Sequence, residues 1–164
     1  MIYRVEDNFL DTVFFGKVKN EVYNGRMPFV FSRGVADIND GNEDNWYFVH
    51  KFYNNQKQLS DYYDLLVLPV LDRLGAKAPV SAKMNIYPHT NTIVKHPNHY
   101  DQPYDVKSAL INFTSCDGYT YLVDDDVEVY SVENRCLHFN SHRLHHSTTT
   151  TNSQIRVTMN INYF

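Results

Sequence analysis

Only two of the 164 residues are cysteine, Cys116 and Cys136. Two thiols cannot staple a domain of this size with disulfides or build a zinc knuckle alone, so both read as reduced side chains. Basic clusters are also missing. The formal charge is −4, and without a Lys/Arg stripe nothing in the electrostatics indicates a nucleic-acid partner. No apolar run approaches the roughly 20 residues that cross a bilayer. The first ten residues, which include Glu6 and Asp7, lack the basic flank and apolar run of a signal peptide. These absences set the expectation of a soluble, cytoplasmic protein with no membrane partner. There is no internal repeat and no long low-complexity run, only the short polar tract at 148–151.

What is present is ordinary in amount and unusual in kind. Hydrophobic residues make up 43% and charged residues 21%, which excludes disordered and fibrous classes. A chain of this length fits one domain and buries about two-thirds of its unfolded surface. Thirteen Tyr and ten Phe accompany a single Trp, and aromatics favour pleated, half-buried surfaces.

Two helices are expected in the first half. Phe9, Leu10, Val13, Phe14, Val18 and Val22 recur at three- and four-residue steps over 7–23, with Asn24-Gly25 as the stop. A second helix over 59–74 carries Tyr62, Tyr63, Leu66, Val67, Val70 and Leu71, should kink or split at Pro69, and ends at Gly75. Between them, residues 31–57 read as a polar loop followed by a short strand or aromatic lip around Trp46, Tyr47 and Phe48. After Pro79 the texture changes to short apolar runs at 80–87, 106–113, 119–123, 127–132, 136–139 and 155–164. Runs so spaced suggest a sandwich or barrel. In the last, Ile155, Val157, Met159 and Ile161 alternate with Arg156, Thr158, Asn160 and Asn162, one apolar side and one polar.

His99-Tyr100-Asp101 is the first chemical candidate, since residues two apart on an extended segment can share one metal ion. With eight histidines in the chain, such a motif arises by chance roughly half the time. The plain alternative is a solvated loop between Pro97 and Pro103. Downstream lies the pair His145-His146, then Arg156 on an otherwise uncharged strand. Two histidines and a carboxylate cover one face of an iron(II) ion and leave the remaining positions open. A dicarboxylate chelating that ion at one end needs a cation for its far carboxylate, which Arg meets with two parallel hydrogen bonds. Taken singly, the histidine pair also reads as solvated loop and Arg156 as an exposed salt bridge.

Taken together, Met84-Asn85-Ile86-Tyr87-Pro88, His99-Tyr100-Asp101, Ala109-Leu110-Ile111-Asn112, Asp117-Gly118-Tyr119, Asn134-Arg135-Cys136 and the stretch from His145 to Thr158 resemble the prolyl 4-hydroxylase-like branch of the 2-oxoglutarate- and iron(II)-dependent dioxygenase superfamily. The resemblance covers roughly residues 80–164 and, less specifically, the two helices before them. It implies a mainly β fold with flanking helices, a double-stranded β-helix of the jelly-roll or cupin-like kind, in one domain over 1–164 with helical support in 1–79 and the β core in 80–164. It also implies Fe(II) as cofactor, 2-oxoglutarate and O₂ as co-substrates, and hydroxylation of a substrate such as a peptidyl proline in a peptide or protein. Carried over by residue, His99, Asp101 and His145 hold the metal, and Arg156, Tyr87 and Thr158 bind 2-oxoglutarate. Two departures stand out: a histidine doublet where the family has one, of which only one can ligate, and Asp117-Gly118 where a Gly-Gly pair is common. Trp46 to Phe48, with Tyr100 and Tyr104, could form a lip for an extended peptide. The competing reading is a non-catalytic, cupin-like metal-binding or interaction module.

Overall fold

The computed structural model describes residues 3–36 and 41–164. Met1 and Ile2 of the N-terminal reading, and residues 37–40 of the loop expected within 31–57, lie outside the described residues. Two antiparallel sheets face each other in a jelly-roll arrangement. The larger contains β1 (Tyr3–Glu6), β2 (Val30–Arg33), β3 (Trp46–Asn54), β4 (Lys57–Gln58), β5 (Pro79–Pro88), β6 (Lys107–Asn112), β9 (Cys136–Asn140) and β11 (Ile155–Tyr163). Its order is β1-β9-β6-β11-β5-β3-β2, with β4 paired to β3. The smaller contains β7 (Tyr119–Leu122), β8 (Val127–Tyr130) and β10 (His145–Ser147), in the order β10-β7-β8.

The N-terminal part is less helical than its sequence suggests, since β1 to β4 all fall before residue 79. Helix α1 spans Thr12–Tyr23 and starts later than the periodicity implies. The Asp11 side chain accepts the Phe14 amide and caps it, satisfying a donor that has no partner inside the helix. Phe9 and Leu10 are buried by a different route. Asn134 accepts from the Leu10 amide at 2.9 Å and donates to the Leu10 carbonyl at 2.8 Å, tying the pre-helix segment to the turn before β9. The second helical region divides into a π turn at Tyr63–Val67 and α2 at Leu68–Leu74. Pro69 sits in the first turn of α2, where its missing N–H costs nothing, and Gly75 closes the helix at φ 63°.

Period-two alternation gives the large sheet two different faces. Val157, Met159 and Ile161 of β11, Ala82 and Met84 of β5 and Ala109 and Ile111 of β6 turn outward and pack under Val18, Val22, Leu66, Val67 and Val70 of the helical layer. Each large aliphatic side chain so buried contributes about 1.5–3 kcal/mol. The opposite face looks toward the small sheet. Leu110, Leu137 and Phe139 meet Leu122 and Val129 there, but the β11 row is Arg156, Thr158, Asn160 and Asn162, and all four are buried. Alternation alone does not say where the polar side faces; here it forms an interior wall. Both cysteines are free, and burial pushes the Cys136 thiol pKa up. Among the described residues no helix is long and apolar enough to cross a membrane.

Candidate functional site

His99 and His145 are held directly opposite each other. The His99 amide donates to the His145 carbonyl at 2.9 Å, and the His145 amide donates back to His99 at 3.0 Å, an isolated antiparallel bridge between the β5–β6 connection and β10. The Asp101 amide bonds the Ser141 carbonyl at 3.0 Å, which brings its side chain to the same side. His99 Nε2 lies 4.0 Å from Asp101 Oδ1, and His145 Nε2 lies 3.9 Å from Asp101 Oδ2. One ligand atom from each of the three residues falls within 4.8 Å of the others.

The hydrogen bonds behind the rings decide what those atoms offer. His99 Nδ1 faces the Pro97 carbonyl at 3.1 Å and His145 Nδ1 faces the Arg143 carbonyl at 2.8 Å. A carbonyl only accepts, so each Nδ1 carries the proton and, in the neutral ring, each Nε2 keeps its lone pair for a metal. Burial and the neighbouring His145 push the His99 pKa down to about 4 despite the pull of Asp101, so the ring is neutral at ordinary pH. Burial alone would raise the Asp101 pKa. His145, Lys83 and a 3.0 Å hydrogen bond from Asn160 outweigh it and bring it below the usual carboxylate range. Two imidazoles that turn Nε2 toward the centre and a carboxylate are the donor set of a non-haem iron(II) centre, and the residues fit such an ion.

His146 points the other way, as neighbours on a strand must. Its Nδ1 is 2.8 Å from Asn98 Oδ1 and its ring lies 5.0 Å from that of Tyr121; it is absent from the cluster.

A polar ladder runs from this cluster along β5 and β11. Asn160 pairs with Lys83, Thr158 with Asn85 and Arg156 with Tyr87. Asn160 contacts Asp101, so the Lys83 rung is the metal-side rung, and Arg156 lies four residues away, roughly 13 Å along the strand. The Arg156 guanidinium is completely buried. It donates from Nη1 to the Thr148 carbonyl at 3.1 Å and from Nη2 to Thr120 Oγ1 at 3.0 Å, and lies 5.4 Å from the centre of the Tyr87 ring. Burial presses its pKa down, yet a guanidinium stays charged in proteins. Among the described residues no carboxylate pairs with it, which removes the exposed salt-bridge reading. Arg156 Nε, Thr158 Oγ1 and Asn85 Oδ1 are all buried without a hydrogen-bond partner. Such groups are costly to leave unmet; Arg156 Nε and the Thr158 hydroxyl are donors from which a carboxylate can accept, whereas Asn85 Oδ1 is an acceptor that calls for a donor.

A cavity of about 130 Å³ opens at the cluster, lined by His99, Asp101, His145, Lys83, Asn85, Tyr87, Thr120 and Asn160, with Tyr47 and Tyr100 at its sides; through Tyr87 and Thr120 it reaches the residues that contact Arg156. The aromatic lip expected from Trp46 to Phe48 is therefore split. Tyr47 stacks on Tyr87 at 5.9 Å, whereas Phe48 pairs with Ile86 and so faces the opposite side of the sheet, where it clusters with Trp46 and Phe31. Tyr104 is exposed and does not line the cavity. Lys83, Asn85 and Asn160 were not among the expected site residues. The signal was present, since Ser81, Lys83, Asn85 and Tyr87 alternate with Ala82, Met84 and Ile86 just as the two rows of β11 alternate.

No protein-family model and no curated protein matches the sequence. Solved structures match its fold. A 2OG-Fe(II) oxygenase-family oxidoreductase from Burkholderia pseudomallei superposes with a TM-score of 0.70 at 10% identity, over 98% of this chain and 84% of that one. The chain has the fold of the 2OG-Fe(II) oxygenases. A Trichoplax adhaerens prolyl hydroxylase, solved with a peptide fragment of hypoxia inducible factor, matches at TM-score 0.62 and 16% identity over 99% and 83% of the two chains. A non-heme alpha-ketoglutarate-dependent carbocyclase from nogalamycin biosynthesis matches at 0.66 and 13%, over 98% and 78%. One fold thus serves neighbours with quite different reactions.

Proposed function

We propose that this chain is a single 2-oxoglutarate- and iron(II)-dependent oxygenase domain in which His99, Asp101 and His145 hold the metal. Arg156 binds the distal carboxylate of 2-oxoglutarate, with Thr158 and Tyr87 beside it. The observation that carries this reading is the ladder itself: a three-donor cluster at one end, a buried arginine with no carboxylate partner at the other, and unpaired polar atoms between. When bound, iron(II) supplies activation of O₂ coupled to decarboxylation of 2-oxoglutarate, giving succinate, CO₂ and an oxidised substrate C–H bond. The chain's own residues orient and shield. The Pro97 and Arg143 carbonyls hold the protons on Nδ1, Asn160 orients Asp101, and the Tyr87–Arg156 rung closes the far end against water. No side chain needs to act as a general base.

The test is an anaerobic titration of iron(II) and then 2-oxoglutarate, followed by the weak visible absorption band of the chelate. Wild type and His146→Ala should both develop the band. Asp101→Ala and His145→Ala should not, and Arg156→Ala should need far more 2-oxoglutarate. A chain that binds no metal stoichiometrically, or binds it without any response to 2-oxoglutarate, is the cupin-like binding module instead. The same preparation, given O₂ and prolyl peptides or free amino acids, tests the peptidyl-proline expectation through succinate release.

A further inference from the structure

The cavity contains a second cation that the oxygenase reading does not use. Lys83 lies on the metal-side rung, lining the same cavity as His99, Asp101 and His145. Among the described residues it makes no hydrogen bond and no ion pair. Its position is two rungs from Arg156, so it is not a spare contact for the far carboxylate of the co-substrate. Across the β3–β5 ladder its direct partner is Lys51, and directly opposed residues project to one face. Like charges so placed destabilise a sheet; burial opposes the Lys83 charge, while the nearby Asp101 carboxylate sustains it and holds its pKa up. A metal ion on Asp101 takes up that carboxylate, and an anion beside Lys83 would replace it.

Charge counting points the same way. A divalent metal, the Asp101 carboxylate, the two carboxylates of 2-oxoglutarate and the Arg156 guanidinium sum to zero, which leaves the Lys83 charge unmatched in the loaded site. Asn160 cannot balance it, being neutral and committed through its amide to Asp101. Asn85 and Tyr47 beside the lysine are neutral hydrogen-bonding groups of the kind that orient a polar ligand. Lys51, the cross-strand partner of Lys83, is exposed and adds a second positive charge on the neighbouring strand outside the cavity lining.

We propose that Lys83, assisted by the field of its cross-strand neighbour Lys51, binds a carboxylate or phosphate of the molecule that is oxidised, so that the substrate is an anion anchored beside the metal. This rests on the oxygenase reading and adds the substrate class to it. An ammonium is a compact point charge that serves either anion, so the chemistry shared by carboxylate and phosphate is what the site selects.

The experiment is anaerobic calorimetry on protein saturated with iron(II) and 2-oxoglutarate, titrated with matched pairs: amino acids and acidic dipeptides against their amides, and phosphoserine against serine. At least one anionic member should bind about tenfold or more tightly than its neutral twin, the size of one charge-assisted contact. Lys83→Gln should erase that preference, Lys83→Arg should keep part of it, and Lys51→Gln should weaken it about threefold. The affinity of Lys83→Gln for 2-oxoglutarate should stay within about twofold of wild type, and a thermal melt confirms that the variant is folded. The carboxylate and phosphate arms separate the two sources. The proposal is overturned if no anionic member outbinds its twin, if Lys83→Gln keeps the preference, or if that variant loses 2-oxoglutarate as Arg156→Ala does, which would assign the lysine to the co-substrate. Failure of the oxygenase reading shows separately, as wild-type protein that takes up no 2-oxoglutarate at all.

Discussion

Gly118→Ala adds one methyl group and should disable the co-substrate end of the site without replacing any proposed ligand. A Cβ at Gly118 would stand 2.6 Å from the Thr149 carbonyl oxygen and 2.7 Å from Arg156 Cδ, so both neighbours must retreat by about 0.7–0.8 Å to reach ordinary contact. The carbonyl is backbone, and Thr149 is fully buried, which leaves Arg156 as the group that yields. Its guanidinium is fixed by Thr148 and Thr120 at 3.1 and 3.0 Å, and a shift approaching an ångström breaks at least one of those bonds. Misplacement on that scale costs roughly 10²-fold where geometry matters, and loss of a charged hydrogen bond alone costs about 1.5–3 kcal/mol. The affinity for 2-oxoglutarate should therefore fall about 10- to 100-fold in anaerobic calorimetry, with iron(II) binding unchanged. Overpacking should also cost about 1–3 kcal/mol of stability, a fall in Tm of about 3–10 °C for a chain this long. An alanine variant with wild-type Tm and wild-type 2-oxoglutarate affinity would refute the claim that Gly118 is the wall behind Arg156.

Thr158→Val removes a buried hydroxyl that has no partner, so the free protein should keep or gain Tm while 2-oxoglutarate binding weakens several-fold; unchanged binding removes Thr158 from the site. Asn134→Ala deletes both bonds to Leu10 and puts alanine at φ 59°, and should cost about 2–4 kcal/mol in urea unfolding with metal affinity intact. Burial first, then the Arg156 charge, push the His96 pKa down to about 3. The folded value is below the unfolded one near 6.5, so the unfolded chain binds the extra proton between those limits, and stability contributed by neutral His96 is full above pH ~6.5 and lost as pH falls toward ~3. His96→Gln should flatten the urea midpoint against pH in that window; an unchanged slope contradicts a buried neutral ring. Iron(II) with 2-oxoglutarate at a hundred times its Kd should stabilise the fold by about 2.7 kcal/mol, visible as a rise in Tm that Asp101→Ala lacks.

Long, regular elements were legible from the sequence because their period is their signal. Both rows of β11 could be read directly, as could the strand runs that became β5, β6, β7, β8 and β9. What escaped was structure decided by distant partners. β1 is four residues long, and only its register with β9, Tyr3 on Phe139, makes it a strand. β10 is three residues, too short to show any alternation, yet it carries a proposed ligand. Helical spacing at Phe9 and Leu10 misled because both join the core from a segment ahead of the helix, whose backbone is tied to Asn134. The site followed the same division. His99, Asp101 and His145 could be picked out by residue type and order, and Arg156 by its isolation among uncharged neighbours. Lys83 showed only in the alternation of β5, a weaker signal because a lysine in a strand reads by default as a solvated edge residue, and cross-strand pairing with Asn160 is what places it beside the three-residue cluster.

The division of labour within β11 explains why that strand tolerates so many buried polar groups. It is the central strand of the large sheet, hydrogen-bonded to β5 on one side and β6 on the other, so its backbone is satisfied whatever its side chains do. Val157, Met159 and Ile161 supply the helix-facing core, and that apolar gain offsets the cost of the inward row. Stability therefore depends on the odd-numbered positions and the proposed ligand chemistry on the even-numbered ones. The two cannot be exchanged separately: a one-residue slip would turn Met159 and Ile161 toward the small sheet and Arg156 into the helical layer, losing core and site in the same step. Register is thus under a double constraint, and the pairing of Arg156 with Tyr87 and of Asn160 with Lys83 is the point at which folding specificity and site geometry become one requirement.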